Sequence, residues 1–318
     1  MTRSAAKPAR KAAKKAAKTA VKTPAKTTAK SPRKRVVPAD QGPLLVVDGD
    51  SFAHRAYHAL PKTIRRRDGR GGGAIVGFAN MLLRLYANER PRAVVVAWDT
   101  LSEPTYRHEA LEGYQGGREF EDEIIEQLDR LPEFVAACGF VNAKGAGYEA
   151  DDFLAAATAR EEKRGGRVLV ASGDRDTFQL ASERTTILHP VRAGEMARIG
   201  PAEVRERYGV EPAQVPDFIA LRGDPSDRIP GAKGVGAVGA VGVLRTYGSL
   251  ESALKAGRFP AQADDLRLYR RIATMDAKAP VPTVKDQAPT WSRAAAQARD
   301  WGLDQLATRL EELAVAKD

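Results

Sequence analysis

The chain is poor in cysteine and histidine. Its 318 residues include one cysteine, Cys138, and four histidines. A single cysteine excludes a disulfide framework and a thiolate zinc cluster, and so few histidines argue against any zinc site. These counts fit a reducing, cytoplasmic setting. Long apolar runs are also lacking: none approaches the about 20 residues of a membrane-spanning helix, and no secretory signal is recognisable.

Excess positive charge is confined to one end of the chain. Residues 1–37 hold 13 lysines and arginines and no acid, whereas the remainder holds 38 basic and 41 acidic residues. Residues 1–40 are mainly Lys, Ala, Thr and Pro, which cannot bury enough apolar surface to fold, so we expect a disordered tail. We interpret the tail as an electrostatic arm on nucleic acid that associates the protein with the nucleoid. A solubilising tail is the alternative.

Short apolar runs alternate with helical patterns along residues 41–200. The runs at 44–47, 93–98 and 168–171 are typical of fully buried parallel strands. Helical patterns cover 74–88, 120–138 and 149–164. Strand alternating with helix predicts an α/β fold with a mostly parallel sheet, and ligands of such sheets bind beyond the carboxyl ends of the strands.

The pattern changes after residue 200. Residues 201–288 predict a small lobe of short helices, which contains a glycine-rich stretch and ends in a proline-containing connector. Residues 289–318 predict a C-terminal helical segment with an amphipathic helix over 303–315, and we expect it to pack back on the core.

Nine acidic residues at five places carry the strongest chemical signal. They are Asp48, Asp99, Glu149, Asp151, Asp152, Asp174, Asp176, Asp224 and Asp227. Most follow an apolar strand or open a helix, and so many carboxylates in one pocket would repel each other without divalent cations. An excess of oxygen ligands suits two or more Mg²⁺ or Mn²⁺ ions. Two such ions can activate a water and stabilise the leaving oxygen in phosphodiester cleavage.

Six motifs, in their order and spacing, resemble the 5′→3′ exonuclease and flap-endonuclease family. They are LLVVDGDSFAHRAYHALP, AVVVAWD, TYRHEALEGYQGGR, GYEADD, VASGDRDTFQL and GDPSDRIPGAKGVG. The likeness is greatest to the bacterial and phage branch, which includes the amino-terminal domain of DNA polymerase I. It covers roughly residues 43–277. It implies a PIN-like nuclease core at 41–200 and a helix-three-turn-helix lobe at 201–288.

The resemblance divides the acids between two metal ions. The first ion would be held by Asp48, Asp99, Glu149 and Asp151. The second would be held or oriented by Asp152, Asp174, Asp176, Asp224 and Asp227. Arg55 would act beside Asp48, Asp99 and Asp151 in catalysis, near the scissile phosphate.

DNA contacts are implied at three further places. They are a basic loop with Arg65, Arg66, Arg67 and Arg70, a gateway for a single-stranded 5′ end with Tyr106, Arg107, Tyr114 and Arg118, and a hairpin with Lys233, Gly234 and Gly236. Aromatic rings and cations together suit single strands. Glycines allow backbone N–H groups to approach duplex phosphates closely.

Three positions depart from the family's pattern. Gln115 and Val238 stand where lysine is usual, and Arg228 stands where asparagine is usual. The loss of two lysines should slow cleavage and weaken the hold on duplex DNA, unless Arg107, Arg118 or the tail compensates.

The motifs together predict a monomeric, Mg²⁺- or Mn²⁺-dependent DNA nuclease. It would cut 5′ flaps or 5′ ends, including duplexes with a single-stranded 5′ overhang, in replication or repair. A DNA-binding protein of the same fold with weak or lost catalysis is the alternative, although the retention of all nine acids argues against it. An RNA-cutting PIN nuclease is less favoured, because PIN toxins lack the lobe.

Deletion of residues 1–37 tests the proposed arm. If the tail neutralises phosphates, the shortened chain binds duplex DNA more weakly at low salt, and its affinity falls less steeply as salt increases. Equilibrium binding between about 50 and 200 mM salt measures both quantities. Unchanged affinity across the series would contradict the arm.

Overall fold

The fold is built on one six-stranded sheet. A computed structural model describes residues 42–100, 103–116, 120–191 and 194–315, so the tail and Arg118 lie outside the described residues. The strands are β1 (Leu44–Asp48), β2 (Ala93–Ala97), β3 (Val141–Ala143), β4 (Val168–Ala171), β5 (Thr185–Pro190) and β6 (Met196–Ile199). Their order is β3-β2-β1-β4-β5-β6, and every neighbouring pair is parallel except β5 with β6. The predicted α/β class with a mostly parallel sheet is confirmed.

Helices flank the sheet and form most of the lobe and of the C-terminal segment. In the core they are α1 (Gly49–Ala59), α2 (Gly73–Glu89), α3 (Tyr106–Ala110), α4 (Asp122–Ala137) and α5 (Ala150–Lys163). In the lobe they are α6 (Pro201–Tyr208), α7 (Val215–Arg222), α8 (Ala237–Tyr247), α9 (Leu250–Lys255) and α10 (Ala263–Ala273). The C-terminal segment contains α11 (Trp291–Asp300) and α12 (Asp304–Val315). No helix in these ranges is both long and apolar enough to cross a membrane.

The three central strands are buried on both faces. Leu44 pairs with Ala93 on one side and with Val168 on the other, in parallel register. This register aligns the carboxyl ends of β1, β2 and β4, because all three strands run in the same direction. The acids that follow these strands are therefore delivered to a single edge of the sheet.

Side chains of β1 alternate between two apolar cores. Leu44 and Val46 face a core that also contains α5 and the lobe helices, whereas Leu45 and Val47 face α1, α2, α4, α11 and α12. Lobe side chains such as Leu244 share the first core with the strands, and Trp291 of α11 lies in the second. The lobe and the C-terminal segment are thus packed onto the sheet by burial of apolar surface.

Three strands and one helix boundary differ from the sequence patterns. β3 is only three residues long, β5 contains polar residues and a proline, and β6 has an arginine among its four residues, so none gives a clear apolar run. The C-terminal segment forms two helices where the sequence predicted one amphipathic helix, because Gly302 takes a φ of 74° between them. That left-handed turn allows α11 and α12 to pack against each other.

Candidate metal centre

An acidic pocket opens at the carboxyl edge of the central strands. Its volume is about 820 Å³. Eight of the nine predicted acids line it, together with a ninth acid that the motifs did not single out: Asp48, Asp50, Asp99, Glu149, Asp151, Asp174, Asp176, Asp224 and Asp227. The core supplies seven of these carboxylates, and the lobe supplies Asp224 and Asp227. The pocket therefore joins the two parts of the fold.

Strand ends and helix starts position the acids of the core. Asp48 is the last residue of β1 and caps α1, since its Oδ1 accepts a hydrogen bond from the Ser51 amide at 3.0 Å. The Oδ1 atom of Asp99, just after β2, accepts from the Ala150 amide at 2.7 Å, at the start of α5. Each carboxylate thus uses one oxygen to satisfy a helix N-terminus, where negative charge is favoured.

Burial and mutual repulsion disfavour the ionised form of the acids in the pocket. Burial raises the pKa of Asp48 to about 7, and the charges of Asp99 and Asp174 add to the shift. Burial likewise raises the pKa of Glu149 to about 7. The pKa values of Asp50, Asp151 and Asp176 are raised well above their usual range by burial and neighbouring carboxylates. The site consequently favours any species that brings positive charge.

The donor set suits a hard divalent cation. The nine acids that line the pocket offer only carboxylate oxygens, and oxygen is the preferred ligand of Mg²⁺ and Mn²⁺. Within the described ranges, no three His, Cys, Asp or Glu side chains are gathered closely enough to hold an ion as they stand. Several oxygens instead bond to protein donors, as Asp48 does to Ser172 Oγ at 2.6 Å. Binding would require these carboxylates to turn from protein donors toward the ion.

Two expected site residues, Asp152 and Arg107, pair with each other and do not line the pocket, although Arg107 Nη1 also lies 3.4 Å from Oε2 of the pocket acid Glu149. Asp152 was expected to hold or orient a metal, and Arg107 to contact DNA, but the side chains are 0% and 3% exposed. The Arg107 guanidinium donates to both carboxylate oxygens of Asp152 at 2.8 Å, and its Nε donates to the Ile272 carbonyl. Burial of this bidentate ion pair corrects the expected DNA contact of Arg107 and the expected direct metal ligation by Asp152. An orienting role of Asp152 stays a prediction, because its Oδ2 accepts a hydrogen bond from the Glu149 amide at 3.2 Å.

Several side chains of the basic loop bond to the protein itself and are not all free to contact DNA. Arg66 is buried, donates to the Gly71 carbonyl and pairs with Glu126 of α4. This corrects the expectation that Arg66 contacts DNA. Among its neighbours, Arg65 pairs with Glu123, Arg67 donates to the Arg299 carbonyl, and Arg70 stays largely exposed.

The gateway segment, residues 103–116, reaches the metal acids directly. The Tyr114 hydroxyl lies 3.2 Å from Glu149 Oε2, and Thr105 Oγ1 donates to Glu149 Oε1 at 2.9 Å. Gln115 donates from Nε2 to Asp227 Oδ1 at 3.2 Å. Tyr106 is half-buried, with its ring against Arg107. The segment therefore contacts two predicted acids of the core, Glu149 and Asp152, and one of the lobe, Asp227.

The remaining predicted contacts within the described residues lie on the surface. Arg55 is exposed on α1, and its guanidinium lies beside Gly173 at the pocket wall. Lys233, Gly234 and Gly236 are exposed just before α8, and no atom would obstruct a side chain at either glycine. Val238 is 88% exposed at the same end of α8. These residues are open to a ligand that approaches from solvent.

Asp50 is a pocket acid that was not predicted from the sequence. It is buried two residues after Asp48, and its Oδ2 accepts a hydrogen bond from the Asp99 amide at 2.7 Å. In the sequence it looks like an ordinary acid in the first turn of a helix. Only its burial at the sheet edge distinguishes it from one.

A carboxylate-lined pocket at the edge of a parallel sheet, beside a helical lobe, defines the class of metal-dependent α/β nucleases. The chain belongs to the 5′-3′ exonuclease family. Residues 43–209 match the model of its N-terminal resolvase-like domain, and residues 210–294 match its C-terminal SAM fold. The family resemblance expected from the six motifs is thereby confirmed.

Curated relatives are bacterial DNA polymerases. DNA polymerase I of Mycobacterium leprae is 42% identical over 211 residues, which are 65% of this chain and 23% of the relative. A thermostable DNA polymerase I of Thermus thermophilus is 37% identical over 252 residues, which are 76% of this chain and 30% of the relative. The chain therefore spans about a quarter of the length of the relatives it matches.

Solved structures share the fold at low sequence identity. A T5 5′-exonuclease with bound zinc is 18% identical, with a TM-score of 0.61 over 85% of this chain and 98% of that one. The catalytic core of Rad2 in complex with a DNA substrate is 14% identical, with a TM-score of 0.55 over 85% of this chain and 92% of that one. At these identities the likeness establishes the fold, including the lobe.

The raised pKa values predict that, without metal, the folded chain becomes less stable as the pH rises. Asp48 has a folded pKa of about 7 against an ordinary 3.8, so the folded chain binds more protons between these values. The contribution of Asp48 to the free energy of unfolding is fully present below its ordinary pKa and is lost as the pH rises toward 7. In EDTA we expect the melting temperature to fall by roughly 5 °C between pH 5 and 7.5.

Calorimetry with and without Mn²⁺ measures this effect. Saturating Mn²⁺ should remove the loss at high pH, because ionised carboxylates bind the cation. Asp48→Asn should show a shallower slope in EDTA than the unmodified chain. A melting temperature in EDTA that is flat or rises from pH 5 to 7.5 would contradict the charge balance described for the pocket.

Arg107→Ala distinguishes a buried pairing from a DNA contact. Removal of the guanidinium leaves Asp152 buried without its partner, so we expect a loss of about 3–5 kcal/mol in the free energy of unfolding. Urea unfolding measures the loss. The control is Arg205→Ala, which breaks the exposed pair with Glu211 and should cost no more than about 1 kcal/mol. A variant with unchanged stability and weaker DNA binding would instead support the surface contact.

Proposed function

We propose that the chain is a divalent-metal-dependent DNA nuclease that acts on 5′ ends and 5′ flaps. The observation that carries the proposal is the pocket itself, in which carboxylates of the core and of the lobe converge. Burial raises the pKa values of Asp48 and Glu149 to about 7, and neighbouring carboxylates add to both shifts. Family membership gives the same reaction class for the matched region.

Mg²⁺ or Mn²⁺ is the proposed resident cation. Asp48, Asp99, Glu149 and Asp151 would hold one ion, and Asp174, Asp176, Asp224 and Asp227 a second. Two bound cations would supply the positive charge that activates a water and stabilises the leaving 3′ oxygen. The donors of the pocket are all oxygen atoms, which do not favour zinc. The T5 5′-exonuclease compared above nevertheless has bound zinc.

The surrounding side chains have separate tasks in this proposal. Arg55, exposed on α1 at the pocket wall, would bind the scissile phosphate and orient it. The Tyr114 hydroxyl and Thr105 would keep Glu149 aimed at the pocket, since each lies within hydrogen-bond distance of one of its oxygens. Asp50 would fix the loop after β2 through the Asp99 amide. Tyr106 would offer an aromatic face to the incoming strand.

The lobe provides the proposed contact with duplex DNA. Lys233, Gly234 and Gly236 expose backbone at the start of α8, where N–H groups and the helix dipole favour phosphate. Val238 adds no charge there. Exposed Arg65 and Arg70 of the basic loop, and Arg118 of the gateway, would add cationic contacts to the strand. The partner is thus a duplex with a single-stranded 5′ end, bound by a monomer in the cytoplasm at the nucleoid.

Cleavage of a labelled 5′-flap duplex tests the proposal. The chain should release 5′ fragments in Mg²⁺ or Mn²⁺ and none in EDTA. Asp174→Ala should lower the rate at least about a hundredfold, because Asp174 lines the pocket and is proposed to hold an ion. Its exposure means that the fold should tolerate the change.

Asp264→Asn is the matched control. Asp264 is a fully exposed acid of the lobe, paired only with Arg267 on the same helix in the described structure, and its replacement should leave the rate unchanged. Binding without cleavage in both Mg²⁺ and Mn²⁺ would contradict the nuclease proposal and favour a DNA-binding protein of the same fold.

A further inference from the structure

The described part of the gateway offers no available cation where it meets the lobe. Within residues 103–116, Arg107 is buried against Asp152 and Gln115 is neutral. Across the pocket mouth, Arg222 of the lobe is paired with Asp224 at 3.1 Å. An exposed cation at this point would favour a DNA strand that enters a pocket lined by nine carboxylates, in addition to the contacts proposed for Arg55 and Arg118.

Arg228 lies at this contact. A Cβ atom built on Gly116 would stand 3.0 Å from Arg228 Nη1, so the guanidinium rests directly against the gateway backbone. The neighbouring Gln115 amide approaches the Asp227 carbonyl at 3.5 Å, and its side chain donates to Asp227. Arg228 is exposed and forms no ion pair with any described carboxylate. Its charge is thus available to a ligand.

A closed turn holds Arg228 in place. The amides of Asp224 and Ile229 donate to each other's carbonyls at 2.8 Å, which closes the turn that carries the two metal acids of the lobe. Arg228 takes a φ of 56° within this turn. That left-handed conformation suits glycine or asparagine and costs energy for arginine. A strained residue beside a binding pocket is a candidate for function, because the fold offers no structural gain for its charge.

We propose that Arg228 binds a phosphate of the DNA strand that passes between the gateway and the lobe, and so helps to determine substrate affinity. The inference rests on the proposed nuclease function. Its physical basis is charge placement: a guanidinium that lies beside Gly116 and adjoins Asp227 can bind a phosphate with two N–H groups as the strand reaches the metal acids. Arg228 would then supply, from the lobe, the cation that Gln115 does not supply from the gateway.

Arg228→Asn is the test variant, because asparagine keeps a residue suited to positive φ and removes the charge. Binding of a 5′-flap duplex is measured by fluorescence anisotropy in Ca²⁺ across a salt series, and cleavage is measured in Mg²⁺. We expect KM to rise about tenfold with kcat changed far less, and the slope of log affinity against log salt to fall by about one. The melting temperature should not decrease.

Arg90→Asn is the matched control. Arg90 is also an exposed arginine at positive φ, 45°, but it lies at the opposite edge of the sheet, before β2. The same substitution there should leave KM and the salt slope unchanged. Arg228→Lys keeps the charge but loses the two-pronged geometry of the guanidinium, so it should retain the salt slope and lose less affinity than Arg228→Asn. Gln115→Lys, added to Arg228→Asn, should restore binding, because it returns a cation to the other side of the same contact.

Wild-type affinity and an unchanged salt slope in Arg228→Asn would overturn the inference, whether or not the chain cleaves DNA. Equal losses in Arg90→Asn would overturn it as well, since they would show a general charge effect. The nuclease proposal stands or falls separately, on metal-dependent cleavage by the unmodified chain.

Discussion

Repulsion among carboxylates dominates the pocket and shapes the elements that surround it. Parallel register brings acids from three strand ends to one edge of the sheet, and the lobe adds two more. The fold tolerates them by giving individual oxygens to protein donors, as in the contact of Asp48 with Ser172 and of Asp99 with the start of α5. Burial, with the neighbouring carboxylates, raises the pKa values of Asp48 and Glu149, and a divalent cation would neutralise their charge.

Buried contacts hold the core and the lobe together against this repulsion. Arg107 donates to Asp152 at the start of α5 and to the Ile272 carbonyl at the end of α10, so one buried side chain joins the gateway, the core and the lobe. Lobe side chains share an apolar core with β1 and α5. Asp224 and Asp227 are therefore held at a fixed place relative to the strand ends, as a shared cation site requires.

Much of the fold and of the pocket could be predicted from local sequence. The runs before Asp48, Asp99 and Asp174 are apolar enough to identify central strands, and the six motifs identified the family. β3 and β5 could not be found in this way, because short or polar strands carry no periodic signal. Arg66 and Arg107 were wrongly predicted to contact DNA for a related reason: the identity of a basic residue in a motif does not reveal whether its side chain is exposed or buried.

The type and placement of nine acids predicted hard cations, and the motifs predicted a 5′-nuclease. Which of the charges are accessible to a ligand depends on the tertiary fold. It buried Asp152 against Arg107, brought Asp50 into the pocket, and placed Arg228 beside Gly116. The physical reason is that availability depends on burial and on partners distant in the chain, and Asp152 and Arg107 are 45 residues apart.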